Sequence, residues 1–460
     1  MTATEVARRC GGRVEGDGDA RISSWAFDSR ALGDGACFVA LRDRRDGHDF
    51  VAAAFDAGAR VAIVDHRPDR VAVGPGRALV HTTDTLAALQ DCARSVRREW
   101  DDVQVVAVAG STGKTSTKEF LAGVLAPVGC HANAESFNNE FGLPVTICNT
   151  PPAARVLVTE MGERHPGDLG LLCDIAAPHA GVVTNVGLAH AEHLGGFDGA
   201  ADVLSEMLAA LPPSGLAVLG ADDPWTPRLA ARTDATVVTV GHGASADYVV
   251  GDVALDERLR PTFSLNGARI AISMHGAHHV TNAAMAAAVA HRRFGMSFDE
   301  IAVELGAATG QRWRMELLET DDGIVVLNDA YNANPTSMEA ALTALAHLGV
   351  TGRRIAVLGE MRELGAHADA AHRTVGEQAA AAGVDLLVAV GAGGALIGSS
   401  AGAGGVEVVC VDGPGEAVAA LESRVAPGDA VLCKASRAVG LEAVAGALLG
   451  AHRTPAGGAP

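Results

Sequence analysis

"DDVQVVAVAGSTGKTSTKEFLAGVLA", residues 101–126, is the stretch on which the reading of this chain turns. Its first ten residues are an apolar, β-branched run closed by glycine, the mark of a buried strand. "TSTKEFLAGVLA" then has the polar start and apolar spacing of a helix. Between them lies "GSTGKTSTK". Strand, glycine loop and helix in this order make an anion cradle: Gly110 and Gly113 let the backbone curl so that its N–H groups point at phosphate oxygens. Lys114 can reach the terminal phosphates, and the Thr115 hydroxyl is placed to ligate Mg²⁺. The loop residues are therefore Gly110, Ser111, Thr112, Gly113, Lys114, Thr115 and Ser116. Counted from Gly110, the loop is one residue shorter than the common G-x-x-x-x-G-K-[ST] form. It specifies ATP or GTP and not a reaction.

Strand and helix patterns alternate outward from this point. Downstream come "ARVLVTEMG", "AGVVTNVG" and "GLAVLGADD" with helical stretches between, then the long Ala-rich helix "GAHHVTNAAMAAAVAHRRFG" and "SFDEIAVELGAA". This is the pattern of a mainly parallel sheet covered on both faces. A break falls at "TGQRWRME", residues 309–316, after which "GIVVLNDAY", "RRIAVLGEM", "VDLLVAVG", "VEVVCVDG" and "DAVLCKAS" restart the alternation. Upstream, "ACFVAL" and "RVAIVDH" read as strands, "HDFVAAAFDAGA" as a helix, and "TLAALQDCARSVRREW" as the helix leading into the loop domain. The fold class is α/β with three domains: 1–100, 101–311 and 312–450. The tail 451–460 has no apolar period and is expected to be disordered.

The bulk numbers agree with a soluble enzyme. The chain has 460 residues, too many for one core. A formal charge of 36 − 55 = −19 disfavours general binding to nucleic acid or anionic membranes, and no window is apolar enough for a membrane span. Eight cysteines without a C-x-x-C pair predict buried free thiols in a reducing cytoplasm. The N-terminus lacks the apolar core of a signal peptide.

Other segments place polar groups where strands end, and ligands of open α/β sheets gather there. "VTEMG" puts Glu160 at a strand terminus, where a carboxylate can hold Mg²⁺ opposite the loop hydroxyl or simply mark the strand's exit. "NAESFNNEFGLPVTI" clusters amides, Asn138 and Asn139 among them, in what is otherwise a plain asparagine turn. "NVGLAHAEHLGGFDGAADVLSEML", residues 185–208, packs His190, Glu192, His193 and Asp198 into nine residues, a place to hold a metal. It then becomes an amphipathic helix with Ala200, Leu204, Met207 and Leu208 on its apolar side. At the domain junction Arg312 and Arg314 could clamp a γ-phosphate. Asp329 ends a strand, and Asn332 to Pro335 cap the next helix.

Taken in order, "GSTGKTSTK", "NNEFGLP", "TEMG", "NVGLAH", "GAHHVTNAAMAAAVA", "RWRMEL", "NDAYNANPTSMEAAL", "AVLGEMRELG" and "KASR" resemble the Mur ligase family over about residues 20–450. The last five, with "AFDSRALGDGACFVALRDRRDGHDFVAAAFDAGA", are similar to the subtype that adds D-alanyl-D-alanine to a UDP-N-acetylmuramoyl-tripeptide. The resemblance implies a small N-terminal nucleotide-sugar domain, a central ATPase and a C-terminal Rossmann-like domain that closes over ATP. It implies an ADP-forming amide ligation through an acyl phosphate, small-molecule substrates, and a monomer. It further implies Mg²⁺ between Thr115 and Glu160 and a second Mg²⁺ near His190. By the same likeness Asn282 contacts the adenine region and Arg314 the ATP phosphates. Asp329 and Asn334 line the nucleotide side of the third domain, and Asp28, Ser29 and Arg30 meet the uridine nucleotide. Lys114, Glu160, His190 and Arg314 form the implied catalytic group.

One departure stands out. The family carries a carbamylated lysine, a ligand of the second Mg²⁺, where this chain has Leu204. Its three lysines, Lys114, Lys118 and Lys434, lie elsewhere. His193, Glu192 or Asp202 are the groups at hand to fill in. His279, Asn328 and Ala435 are milder departures. Three readings follow: the cell-wall ligase with an altered metal site, a paralogue joining another acid and amine in a specialised peptide or natural-product pathway, and a non-catalytic binding protein.

Overall fold

Gln104–Ala109 forms a strand whose residues alternate between two cores: Val106 and Val108 pack on one side, Val105, Ala107 and Ala109 on the other. A strand buried on both faces must sit inside a sheet, and this one is paired in parallel with Val156–Glu160 and with Ala180–Val183. The computed structural model describes residues 1–451 apart from 70, 135, 136, 189 and 190, and the side chains of 191 and 193. His190 and the tail 452–460, both singled out from the sequence, therefore lie outside the described residues.

The central sheet has nine strands. From one edge they run Ala268–Ala271, Pro261–Leu265, Tyr248–Leu255, Thr236–Gly241, Leu216–Gly220, Ala180–Val183, Gln104–Ala109, Val156–Glu160 and Cys130–Ala132. The pairings are parallel from Tyr248–Leu255 to Cys130–Ala132, and Pro261–Leu265 is antiparallel to both of its neighbours. One face is covered by the helices Lys114–Val124 and His279–Phe294, whose run of small residues lets the two lie close together. The other face is covered by Asp168–Ala176 and Phe197–Ala209.

Two smaller sheets flank it. The N-terminal one has five strands, in the order Arg13–Gly16, Ala78–His81, Val61–Val64, Ala36–Val39, Ser24–Ala26, parallel except for the first pair. The C-terminal one has six, in the order Glu316–Glu319, Val325–Asn328, Ala430–Lys434, Arg354–Leu358, Leu386–Val390, Glu407–Val411, again with an antiparallel first pair.

The helix Thr85–Arg98 belongs to two cores. Ala88, Leu89 and Cys92 pack into the N-terminal core, while Ala93 and Val96 face the central one. The seam beside it is polar and closely fitted. Asn149 uses its side-chain amide as a strand would, accepting from Trp25 N and donating to Trp25 O, both at 2.8 Å. Arg97 donates to the carbonyls of Ala176 and Ala177 at 2.7 and 2.9 Å.

Two expectations need correction. The helix expected over 48–59 is a 3₁₀ turn, Gly47–Phe50, leading into the α-helix Val51–Asp56, because the chain turns back to the sheet at Gly58 and Ala59. All eight thiols are free, but Cys410 is exposed and Cys10, Cys130 and Cys148 are half-buried. Among the described residues no helix is long and apolar enough to cross a membrane.

Candidate active site

The glycine loop leaves the middle of the central sheet where the neighbouring strands diverge, so groups from three strand ends converge on it. The segment after Ala180–Val183 fastens it in place. Asn185 donates to Thr112 O at 3.0 Å and accepts from Thr112 N at 3.1 Å; its carbonyl takes Ser111 N, and Ser111 Oγ accepts from Gly187 N at 2.7 Å. Two glycines are needed for fit. At Gly110, φ +132°, a Cβ would collide with the Thr184 hydroxyl. At Gly113, φ +82°, it would come within 2.6 Å of Asn282 Oδ1. Asn282 thus abuts the loop from the neighbouring helix His279–Phe294.

Thr115 opens the loop helix and donates from Oγ1 to Glu160 Oε2 at 2.7 Å. The other oxygen of Glu160 accepts from Asn138 at 2.8 Å. Behind Glu160, Asn133 accepts its backbone N–H, and the buried Lys118 donates to Asn133 O at 2.9 Å. The carboxylate is therefore aimed rather than merely present. Lys114 donates to Gly110 O and to Glu163 Oε1, the latter at 3.1 Å. Burial pushes the Glu163 carboxyl above its usual range, and Lys114 opposes that.

The C-terminal domain supplies the opposite wall. Trp313 (φ +64°) and Met315 (φ +48°) both take left-handed backbone, a conformation costing non-glycine residues of order 1–2 kcal/mol each. Met315 N donates to Asp329 Oδ1 at 3.0 Å and Tyr331 N to Trp313 O at 3.1 Å, which holds the bend. Between them the Arg314 guanidinium lies over the Tyr331 ring, 3.9 Å from its centre. Lys434, at the end of Ala430–Lys434, is buried and donates to Asp329 Oδ2 at 2.6 Å and Asn332 O at 2.8 Å. Asn334 caps the helix Pro335–His347 through Ser337 N. His278 lines the cavity as well, its ring 4.1 Å from that of the buried His279.

These groups line one cavity of about 1040 Å³. It gathers Ser111, Thr112, Gly113, Lys114, Thr115, Ser116, Asn138, Glu160, Asn282, Arg314, Asp329 and Asn334, all singled out from the sequence. Gly110 lies just behind the wall, turned to Lys114. Asn139 Oδ1 accepts from Phe141 N and Gly142 N at 3.3 and 2.9 Å, in the turn that enters the helix Gly142–Cys148. Asp28, Ser29 and Arg30 lie in the N-terminal domain away from the cavity, with Arg30 clamping Asp28 and holding its carboxyl down to about 2. Arg312 is exposed and rests on Trp313, so Arg314 alone of the two faces the cavity.

Leu204, expected from the resemblance to stand in a lysine's place, is packed as an apolar core residue. Leu204 is 1 % exposed within the apolar cluster under the sheet. Neither Glu192 nor Asp202 lines the cavity, and Asp202 accepts from Arg228 at 2.7 Å. Glu206, two residues on from Leu204, instead caps the helix Asp168–Ala176, accepting from Gly167 N and Gly170 N at 2.7 and 2.9 Å. Sequence reading missed Glu163, His278, Tyr331 and Arg44, the last a cavity residue from the N-terminal domain. A second carboxylate three residues past Glu160 was the available signal for Glu163.

The Mur ligase middle domain matches residues 108–290, and the Mur ligase, glutamate ligase domain matches residues 313–437. The chain is 40 % identical to the UDP-N-acetylmuramoyl-tripeptide--D-alanyl-D-alanine ligase of Mycobacterium tuberculosis H37Rv, covering 98 % of both chains. It is 33 % identical to the enzyme of that name from Bacillus subtilis, covering 92 % of each. Among solved structures, MurF from Acinetobacter baumannii superposes with a TM-score of 0.86 at 28 % identity, over 98 % of this chain and 99 % of that one. The MurF ligase of Thermotoga maritima in complex with ADP gives 0.79 at 26 % identity, over 94 % and 97 %.

Proposed function

The chain belongs to the Mur ligase family, and we propose that it adds D-alanyl-D-alanine to a UDP-N-acetylmuramoyl-tripeptide with ATP, releasing ADP and phosphate in peptidoglycan precursor synthesis. The observation that carries the reading is the convergence of the loop Ser111–Ser116, Glu160, Arg314 and Asp329 on one cavity between the central and C-terminal domains. Likeness to such ligases over the whole chain supports it. The reading takes the protein as a cytoplasmic monomer.

A carboxylate is a poor electrophile. Phosphorylation by ATP turns it into an acyl phosphate, which an amine attacks at the acyl carbon with departure of phosphate. In this reading the loop N–H groups and Lys114 hold charge on the transferring phosphoryl group, and Arg314 adds a planar cation from the other domain. Asn282 contacts the adenine region, and Asp329 and Asn334 border the nucleotide. Asp28, Ser29 and Arg30 meet the uridine nucleotide, and Asn138 and Asn139 border the substrate side. The Thr115 hydroxyl and Glu160 carboxylate, 2.7 Å apart, are hard oxygen donors suited to Mg²⁺, with His190 as the further implied ligand. When bound, Mg²⁺ neutralises charge between phosphates and substrate.

The test is phosphate release from ATP and Mg²⁺ with UDP-N-acetylmuramoyl-tripeptide and D-alanyl-D-alanine. Release dependent on both substrates is expected. Leu204, sealed in the apolar core, favours a second reading: a paralogue joining a different carboxylate and amine. No release with the cell-wall pair, together with release for another acid and amine, would establish that reading and overturn the first.

A further inference from the structure

Glu163 lies in the turn just past the strand Val156–Glu160 and is 3 % exposed. It lines the same cavity as Thr115, Asn138 and Glu160. One of its oxygens takes the Lys114 ammonium at 3.1 Å. The other, Oε2, is buried and has no hydrogen-bond partner among the described residues. A buried carboxylate with an idle oxygen is costly unless something else visits it.

The Lys114 pair is complete only while the loop carries no phosphate. A polyphosphate draws Lys114 to itself, since that is what a lysine in such a loop is placed to do. Glu163 is then a buried anion with two open oxygens, beside Glu160 and beside the incoming phosphates. Among the described residues Lys114 is the cation that pairs with Glu163, and other cations are engaged elsewhere. Lys118 is held by Glu119 and Asn133, Lys434 by Asp329, and Arg362 by Glu360. Carboxylate and hydroxyl oxygens around a phosphate site are the donor set of a hard divalent cation.

We propose that Glu163 is a ligand for a divalent cation in the nucleotide cavity, acting with Glu160 once Lys114 has turned to the phosphates. The inference rests on the cavity's being the nucleotide site.

The full-length protein is titrated with Mn²⁺, followed by electron paramagnetic resonance, at saturating ADP. ADP affinity is measured separately in EDTA. Glu163→Gln is expected to weaken Mn²⁺ binding by roughly tenfold or more. ADP affinity in EDTA should hold or rise, because Lys114 is released. Glu163→Asp, which keeps the charge on a shorter arm, should recover part of the Mn²⁺ affinity and guards against a fold defect in the glutamine variant. Unchanged Mn²⁺ affinity in Glu163→Gln, with tighter ADP binding in EDTA, would overturn the proposal: the carboxylate would then only restrain Lys114. Failure of the parent protein to bind ADP at all would overturn the nucleotide reading, and this inference with it.

Discussion

Gly113 is where one methyl group should matter most. Gly113→Ala adds a Cβ 2.6 Å from Asn282 Oδ1 at a φ of +82°, so the loop must shift or Asn282 must leave. The expected result is a loss of ADP affinity of about tenfold or more, from strain of order 1–2 kcal/mol, read by calorimetric titration; wild-type affinity would refute it. Asp329 is the second such residue. Asp329→Ala leaves the buried Lys434 ammonium with carbonyl partners only, and stability of the C-terminal domain should fall by about 3–5 kcal/mol in urea unfolding. Asp329→Ala combined with Lys434→Met should recover much of that loss, because the stranded charge is gone. At this scale the sequence is legible where chemistry is contiguous. Gly110 to Ser116 is one motif, and Glu160 stands at a strand end. Glu163 and Tyr331 were hidden, because their role depends on which way a turn carries them, and spacing along the chain does not carry that.

Helix ends and strand ends connect these residues to the layers beneath. Glu206 reaches from one helix to cap another, so Glu206→Ala should cost about 1 kcal/mol of stability through two stranded N–H groups at Gly167 and Gly170, measured by urea unfolding. His179, just before the strand Ala180–Val183, accepts the Val105 N–H on Nδ1 at 2.9 Å, which requires a neutral ring. Burial, with Arg97 and Arg293 nearby, holds its pKa down to about 4 from 6.5. As pH falls below 6.5 the unfolded chain takes up a proton that the folded one refuses, so this contribution to stability fades progressively toward pH 4. His179→Asn should show a shallower loss of stability between pH 7 and pH 4.5 than the parent; equal slopes would contradict the assignment. The buried parallel strands were readable as unbroken apolar runs. The antiparallel strands Tyr248–Leu255, Pro261–Leu265 and Ala268–Ala271 were overlooked, although Asn266-Gly267, both at positive φ, is the turn that closes a tight hairpin. Their half-buried alternation gives a weaker signal than a run of valines.

Three sheets and one cavity make the whole molecule. The sequence yields the three α/β units, because each has its own alternation and the junction at 309–316 breaks it. It does not yield the cavity, whose walls are residues more than 300 positions apart, such as Lys114 and Arg437. Since the proposed nucleotide site joins the central and C-terminal domains, saturating ADP at about 100 times its Kd should add roughly 2.7 kcal/mol to unfolding of both together. A calorimetric scan in which ADP moved only one transition would argue against a shared site. The helix Thr85–Arg98 has a mechanical consequence. Because it is packed into two cores at once, and Asn149 and Arg97 stitch the seam beside it, tilting the first domain against the second would open apolar packing and hydrogen bonds together. Arg314 sits on the bent segment between Trp313 and Met315, which Asp329 and Tyr331 hold to the third domain, so any displacement of that domain displaces this cation with it.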